Sequence, residues 1–559
     1  MAKASPETTP APRGQAGWPV RLAMALVMAL AAHFSLSRLG FNPTDDGFIL
    51  AQSRRLLSGE VPHLDFISIR PVGSALLHIP ELLVGADHAF LVSRLVYWLE
   101  VATAGWCWLE MLLSATGRKV NAVTAGVLLS MAFMLSSHAF PPMAWHTVDG
   151  IWLASLGLLA LRSGGGRVPL LGLALIGGAS LCKQNFLPLI PLSIFLSGRS
   201  RDPLAWLAAL SLPLSYGAVV AALGGGLDML RQLVALRTPD AVGPSWSPRL
   251  AWLAGAAILG LAACRALGGE AAHGARGRAW ATARLLLGWS LAWGVIAWAG
   301  TELDDPHFAF LDRGSFVIAG ASTGATLALA WARRSPLIRP AFILLVLGAT
   351  SMVSLGYQTM AHVAGPLALL LTFACLEAGA DRGSESRLIV RLGAVAAFVV
   401  IALHWVSART NYIYNERAAS SLTHALDDVW PGGRGLVSNP DMHAVLADLT
   451  SCVDQLGGRQ YAILVDAPGW WAHARQRNPL PADWPQSIEL CNEQLQSRFS
   501  LAVIQNRGRT TYIVQRILLN DVASGFTPVP ADNLYYGAIG WVRANLRRTG
   551  QTTYWDLYE

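Results

Sequence analysis

Long apolar stretches recur from residue 18 to residue 407, separated mostly by loops too short to form a core of their own. Backbone in hydrocarbon must satisfy its N–H and C=O groups internally, so stretches of this length are read as membrane helices. They fall at 18–39, 89–113, 120–137, 148–162, 168–182, 185–197, 204–223, 249–267, 282–300, 315–332, 337–356, 361–378 and 390–407. That makes about 13 spans, judged against the roughly 20 residues a bilayer requires. Composition agrees, with 53% hydrophobic and only 14% charged residues, against about 25% charged in soluble proteins. The 21 tryptophans suit membrane–water interfaces. The expected fold class is mainly α, a polytopic helix bundle with a long first loop and a C-terminal α/β domain.

The net charge of +7 is no nucleic-acid signal, because Lys and Arg concentrate in short loops between spans. With Lys3, Arg13 and Arg21 in the cytoplasm, alternate loops carry Arg118 and Lys119, Arg162 and Arg167, Arg199 and Arg201, then Arg265, Arg276, Arg278 and Arg284. The same side receives Arg333, Arg334, Arg339, Arg382, Arg387 and Arg391, whereas loops 138–147 and 357–360 have no Lys or Arg. The positive-inside rule therefore orients the first loop and the C-terminal region to the extracytoplasmic side. The expected location is an inner (plasma) membrane. Residues 1–17, rich in Pro, Ala and Thr, read as a disordered cytoplasmic tail. Ala29-Leu30-Ala31 could pass for a signal-peptide cleavage site, but a tethered first span makes better sense of the loop that follows.

The expected domains are the membrane region at 18–408, with its first loop at 40–88, and an extracytoplasmic region at 409–559. In the loop, a helix over 46–58 stops at Gly59 and a second over 71–84 starts at Pro71. Ile49, Leu50, Leu56 and Leu57 share one face, which suits a helix lying on the membrane surface. In the C-terminal region, strand-length runs at 435–438, 461–465, 501–504 and 511–514 interleave with helical stretches at 416–428, 441–456 and 487–497. Four of the six cysteines sit in or beside spans as packing residues; Cys452 and Cys491 could form a disulfide outside the cytoplasm.

Candidate chemistry begins at Asp45-Asp46, two carboxylates just past the first span. They suit either helix capping, with Thr44 or Asp45 as N-cap, or general-base work on an acceptor hydroxyl. Asp149 opens the fourth span and could hold a substrate hydroxyl, hold a metal, or cap the helix. Lys183 and Gln184 interrupt a short hairpin, where Lys either snorkels or meets a phosphate. Arg54, Arg55 and Arg70 offer phosphate-binding forks or a solvated face. His362 opens the twelfth span, to contact substrate or make an interface hydrogen bond. Asp304, Asp305 and His307 suit a divalent cation by residue type, though not by a diagnostic spacing. No Walker A, Gly-x-Ser-x-Gly or His-Glu-x-x-His pattern is present, which leaves ATP-driven transport and the common hydrolases unsupported.

These residues resemble a GT-C-type membrane glycosyltransferase, in the branch with protein O-mannosyltransferases and the bacterial transferases that put aminoarabinose on lipid A. The likeness runs through Asp45-Asp46-Gly47-Phe48, Ala51, Leu56-Leu57-Ser58-Gly59, Pro62, Asp65-Phe66 and Arg70-Pro71-Val72-Gly73. It extends to Asp149, Lys183-Gln184, and His362 with Gly365-Pro366-Leu367. The second acid is Asp46 where the family often has Glu, which leaves open which acid is the base. The resemblance implies a polyprenyl-phosphate-linked sugar donor, an acceptor hydroxyl on a lipid, glycan or protein, and inverting transfer on the outer face. No cofactor is required, since a lipid phosphate leaves well, and a divalent cation is optional. The competing readings are a lipid or sugar transporter and a non-catalytic envelope scaffold. A transporter would be expected to show paired discontinuous helices in corresponding halves, and none is evident.

Overall fold

The computed structural model describes residues 16–138, 140–162, 168–234, 246–268, 274–302, 313–332, 335–352, 360–379, 384–530 and 537–559. Its first part contains α1 (Trp18–Leu36), α2 (Phe48–Leu57), α3 (Gly73–Leu77), α4 (Ile79–Val84) and α5 (Ala89–Thr116). Next come α6 (Ala122–Ser137), α7 (His146–Leu161), α8 (Val168–Cys182), α9 (Leu189–Leu196), α10 (Pro203–Ala222) and α11 (Gly226–Leu233). The bundle continues with α12 (Trp246–Gly268), α13 (Gly274–Glu302), α14 (Arg313–Ala332), α15 (Ile338–Met352), α16 (Ala364–Ala378) and α17 (Ser384–Asn411). Every apolar stretch of the sequence coincides with one of these helices. Seven helices among the described residues are long and apolar enough to cross a bilayer, and shorter apolar helices pack beside them. The protein is an integral membrane protein. Small residues let its helices approach closely, as where Gly260 and Gly324 meet the backbones of Ala321 and Ala257.

The C-terminal region holds β1 (His424–Ala425), β2 (Val437–Ser438), α18 (Pro440–Gln455), β3 (Gln460–Leu464), α19 (Glu493–Gln505) and β4 (Thr510–Gln515). It ends with α20 (Gly537–Asn545), β5 (Arg548–Gln551) and β6 (Trp555–Tyr558). The main sheet has the order β3-β4-β6-β5. β3 and β4 run parallel with Tyr461 opposite Thr511, and β6 runs antiparallel to both β4 and β5. Side chains alternate across a strand, so each strand feeds two cores. Tyr461, Ile463, Ile513 and Trp555 face α18, while Ala462, Leu464, Tyr512 and Val514 face α19 and α20.

Both cores take in the first loop, and one also takes in the start of α5. Phe41, Leu50, Ala51, Leu82 and Phe90 belong to the α18 side, and Phe48, Ile49, Ile67 and Ile69 to the α19 side. Gly40 N–H donates to the Val437 carbonyl at 2.9 Å, and Val437 N–H returns to Arg38 at 2.8 Å. The expected surface helix at 46–58 is therefore corrected. Ile49 and Leu50 are buried beneath the C-terminal region, and exposure is confined to the last turn, at Arg54 and Leu57.

Other local expectations also change. The helix expected over 71–84 breaks at His78, where Pro80 restarts the chain as α4, because proline lacks an N–H and disfavours helix just before it. The run 501–504 lies in α19, not in a strand, since α19 extends well past the expected 497. Residues 416–428 contain only a short 3₁₀ turn and β1 in place of a helix. Cys452 and Cys491 are both free thiols. Cys452 sits in the α18 core and Cys491 packs against the α19 core, on opposite faces of the sheet.

Candidate functional site

The chain leaves α1 and folds tightly before α2. Asn42 turns it, its side-chain oxygen accepting from Thr44 N–H at 2.8 Å. Arg94, buried near the start of α5, donates to the carbonyls of Ser37 at 2.6 Å and Gly40 at 2.8 Å, and to the Asp46 carboxylate. Burial pushes the Asp46 carboxyl above its ordinary value, against the pull of the Arg94 guanidinium. Asp45 accepts from the Tyr414 hydroxyl at 2.6 Å. Neither acid caps α2: the N-cap is Gly47, and no side chain bonds the helix start there. A favourable cap would have explained the acids without chemistry, so its absence removes the simplest structural account of the pair.

Gly47 has φ +92°, and a Cβ there would lie 2.4 Å from the Phe90 ring and 2.7 Å from Gly469. Only glycine fits, and it aims both acids into a pocket. Leu36, Asn42, Arg94, Pro142, Arg409 and Tyr414 are among the residues lining it. Arg409, near the end of α17, lies 4.9 Å over the Trp98 ring. Its Nε and Nη2 meet no acceptor among the described residues. Arg94, Arg409 and Tyr414 were not anticipated from sequence. Charges inside an otherwise apolar span are a functional signal in themselves, and for the two arginines it was there to be read.

A second group forms around the start of α7. Lys183, at the end of α8, is buried and donates to Thr147 Oγ1 at 3.0 Å, so it does not snorkel. Gln184 donates to the Ile69 carbonyl at 2.9 Å. His362 is buried edge-on to Phe140, ring centres 4.4 Å apart. Arg70 and Lys183 supply positive charge around buried His146. Asp149 is fully buried and bonded to His78 at 3.3 Å; it does not cap α7, whose N-cap is Trp145. Phe48 stands edge-on to His146 at 6.1 Å and links this group to the acid pocket. Candidates from four separate segments thus converge.

The remaining cations of the first loop stand differently. Arg55 is buried in a fork on Asp483, at 2.8 and 2.9 Å, with Glu60 on its other side. Arg70 pairs with Glu489 at 2.6 Å. Arg54 is exposed. Asp304, Asp305 and His307 lie outside the described residues.

The architecture is that of a polytopic helical membrane protein whose first loop and C-terminal α/β region close over buried acids and arginines. No family model matches the chain, and no curated protein matches it. Among solved structures it is similar to ArnT from Cupriavidus metallidurans in the apo state, at 14% identity and a TM-score of 0.44, over 97% of each chain.

Proposed function

We propose that this chain is a membrane glycosyltransferase that moves a sugar from a polyprenyl-phosphate donor to an acceptor hydroxyl, with inversion. The observation that carries the reading is the pocket in which Asp45 and Asp46 face Arg409 at the end of the membrane bundle. A lipid-linked donor keeps its tail in the bilayer and its sugar phosphate at the edge, where such a pocket lies. Asp46 is matched to the Arg94 guanidinium and acts to position the loop. Asp45, which lines the pocket and accepts from the Tyr414 hydroxyl, is the base.

In the proposed step, Asp45 takes the acceptor hydroxyl proton as the oxygen attacks the anomeric carbon. The bond from that carbon to the phosphate oxygen breaks on the opposite face. The phosphate leaves with the electron pair, and the N–H groups of Arg409 meet its charge. Lys183, His146 and His362 line the neighbouring group and hold sugar or phosphate oxygens. Burial of the acids excludes water and so limits hydrolysis of the donor.

The test is turnover of a panel of polyprenyl-phosphate sugars by purified protein, with an acceptor lipid extract. Asp45→Asn is expected to lose about 10²–10⁴-fold, the usual worth of a general base. Asp46→Asn loses less, by loosening Arg94. Full activity in Asp45→Asn would overturn the assignment of the base.

A further inference from the structure

Away from the Asp45–Asp46 pocket, a kinked loop and two helices bring four titratable side chains together. His78 stands at the break between α3 and α4, Glu81 in α4, Glu100 in α5 and Asp149 in the first turn of α7. His78 and Asp149 are fully buried, and Glu81 and Glu100 each keep only 3% of their surface. One ligand atom each from His78, Glu100 and Asp149 fall within 4.8 Å of one another. Three carboxylates and one imidazole in so dry a place are costly unless positive charge joins them.

Two details point to a cation. His78 Nδ1 is held by Glu81, which leaves Nε2 directed at Asp149 at 3.3 Å. A carboxylate behind the imidazole is the usual device for orienting a metal-binding histidine and raising its basicity. The separation also fits, since tetrahedral ligands about 2.0–2.1 Å from zinc stand about 3.3 Å apart. Secondly, Asp149 Oδ2 and Glu81 Oε2 are buried oxygens that meet no donor among the described residues. A Glu100 carboxylate oxygen also lies within 4.8 Å of Asp149, an approach two buried carboxylates keep only with a proton or a cation between them.

We propose that His78 Nε2, Asp149 and Glu100 bind a divalent transition cation of the zinc type, with Glu81 orienting His78. The nitrogen ligand argues against Mg²⁺ and Ca²⁺, which prefer oxygen alone. The cation ties the kink between α3 and α4 to α5 and α7, and so fixes the first loop to the bundle. This assignment does not depend on the transferase reading.

The experiment uses tag-free, full-length protein in detergent, stripped with chelator and then titrated with Zn²⁺, with Mn²⁺ as a second probe. Metal content by mass spectrometry and thermal melting are the readouts. The expected result is about one zinc per chain, with a melting temperature that falls on chelation and recovers on zinc addition. Glu100→Gln and Asp149→Asn are expected to bring metal content to background, and Glu81→Gln to weaken binding about 10–100-fold. Wild-type protein that holds no metal and melts identically with and without zinc would overturn the proposal and leave a shared proton in its place. Stoichiometric metal retained by both ligand variants would overturn it equally.

Discussion

Arg55 and Arg409 are both buried, yet their surroundings give them opposite tasks. Arg55 spends its donors on Asp483, Glu60 and the Leu480 carbonyl. Removing one partner of such a pair strands the other charge, so Arg55→Ala is expected to cost about 3–5 kcal/mol in denaturant unfolding. Adding Asp483→Ala should return part of that loss. Arg409 lines the pocket and has two donors that meet no acceptor among the described residues. Arg409→Gln should leave melting close to wild type while donor turnover falls about 10²–10³-fold, the usual loss for one charge-stabilising donor. Much of this was legible from residues out of place in apolar sequence: Asp45, Asp46, Asp149, Lys183 and His362 all sit at the ends of apolar spans. Arg94 and Glu100 carried the same signal, hidden because hydropathy averaged over α5 absorbs them. His78 and Tyr414 carried none, since only tertiary folding brings them to their partners.

Among elements, α2 shows where sequence reading stops. Its end follows from Gly59, but its start is set by Gly47 and not by a cap at Thr44 or Asp45, and its apolar face is claimed by the C-terminal cores and not by lipid. Nothing local distinguishes these two partners, because both reward the same burial. The run at 501–504 misleads for a related reason: four apolar residues in a row suit a strand and a buried helix face equally, and α19 wins through Leu495, Phe499 and Val503, spaced four apart. Gly47 allows a sharper test. Gly47→Ala forces a side chain into left-handed backbone and into Phe90, at a cost of about 2 kcal/mol or more. Thermal melting should fall accordingly, and activity should fall further, since the acids lose their aim. An active, equally stable Gly47→Ala protein would show that the turn is not constrained as described.

On the scale of the whole molecule, His63 joins three parts. Its ring meets Tyr216 of α10 at 2.6 Å and Gln232 of α11 at 3.2 Å, and its carbonyl accepts from Arg498 of α19 at 2.7 Å. Burial pushes the His63 imidazole down to about 4, so it stays neutral in the fold while an unfolded chain takes a proton below about 6.5. Stability is therefore full above about pH 6.5 and falls as pH drops toward 4, by of order 3 kcal/mol. Melting curves across that window should show the slope, and His63→Asn, which tolerates the local φ of +69°, should flatten it.

The hydrogen bond between Asp45 and Tyr414 spans 369 positions of the chain. At synthesis rates of about 5–20 residues per second, the acid emerges from the ribosome about 20–70 s before the phenol that meets it. Until then, the loop around Asp45 lacks the cores that bury Phe41, Phe48 and Leu50. A nascent or prematurely terminated chain would own its carboxylates but not the pocket that aims them. The pocket around Asp45 is thus completed only once the C-terminal region has been made and folded against the first loop.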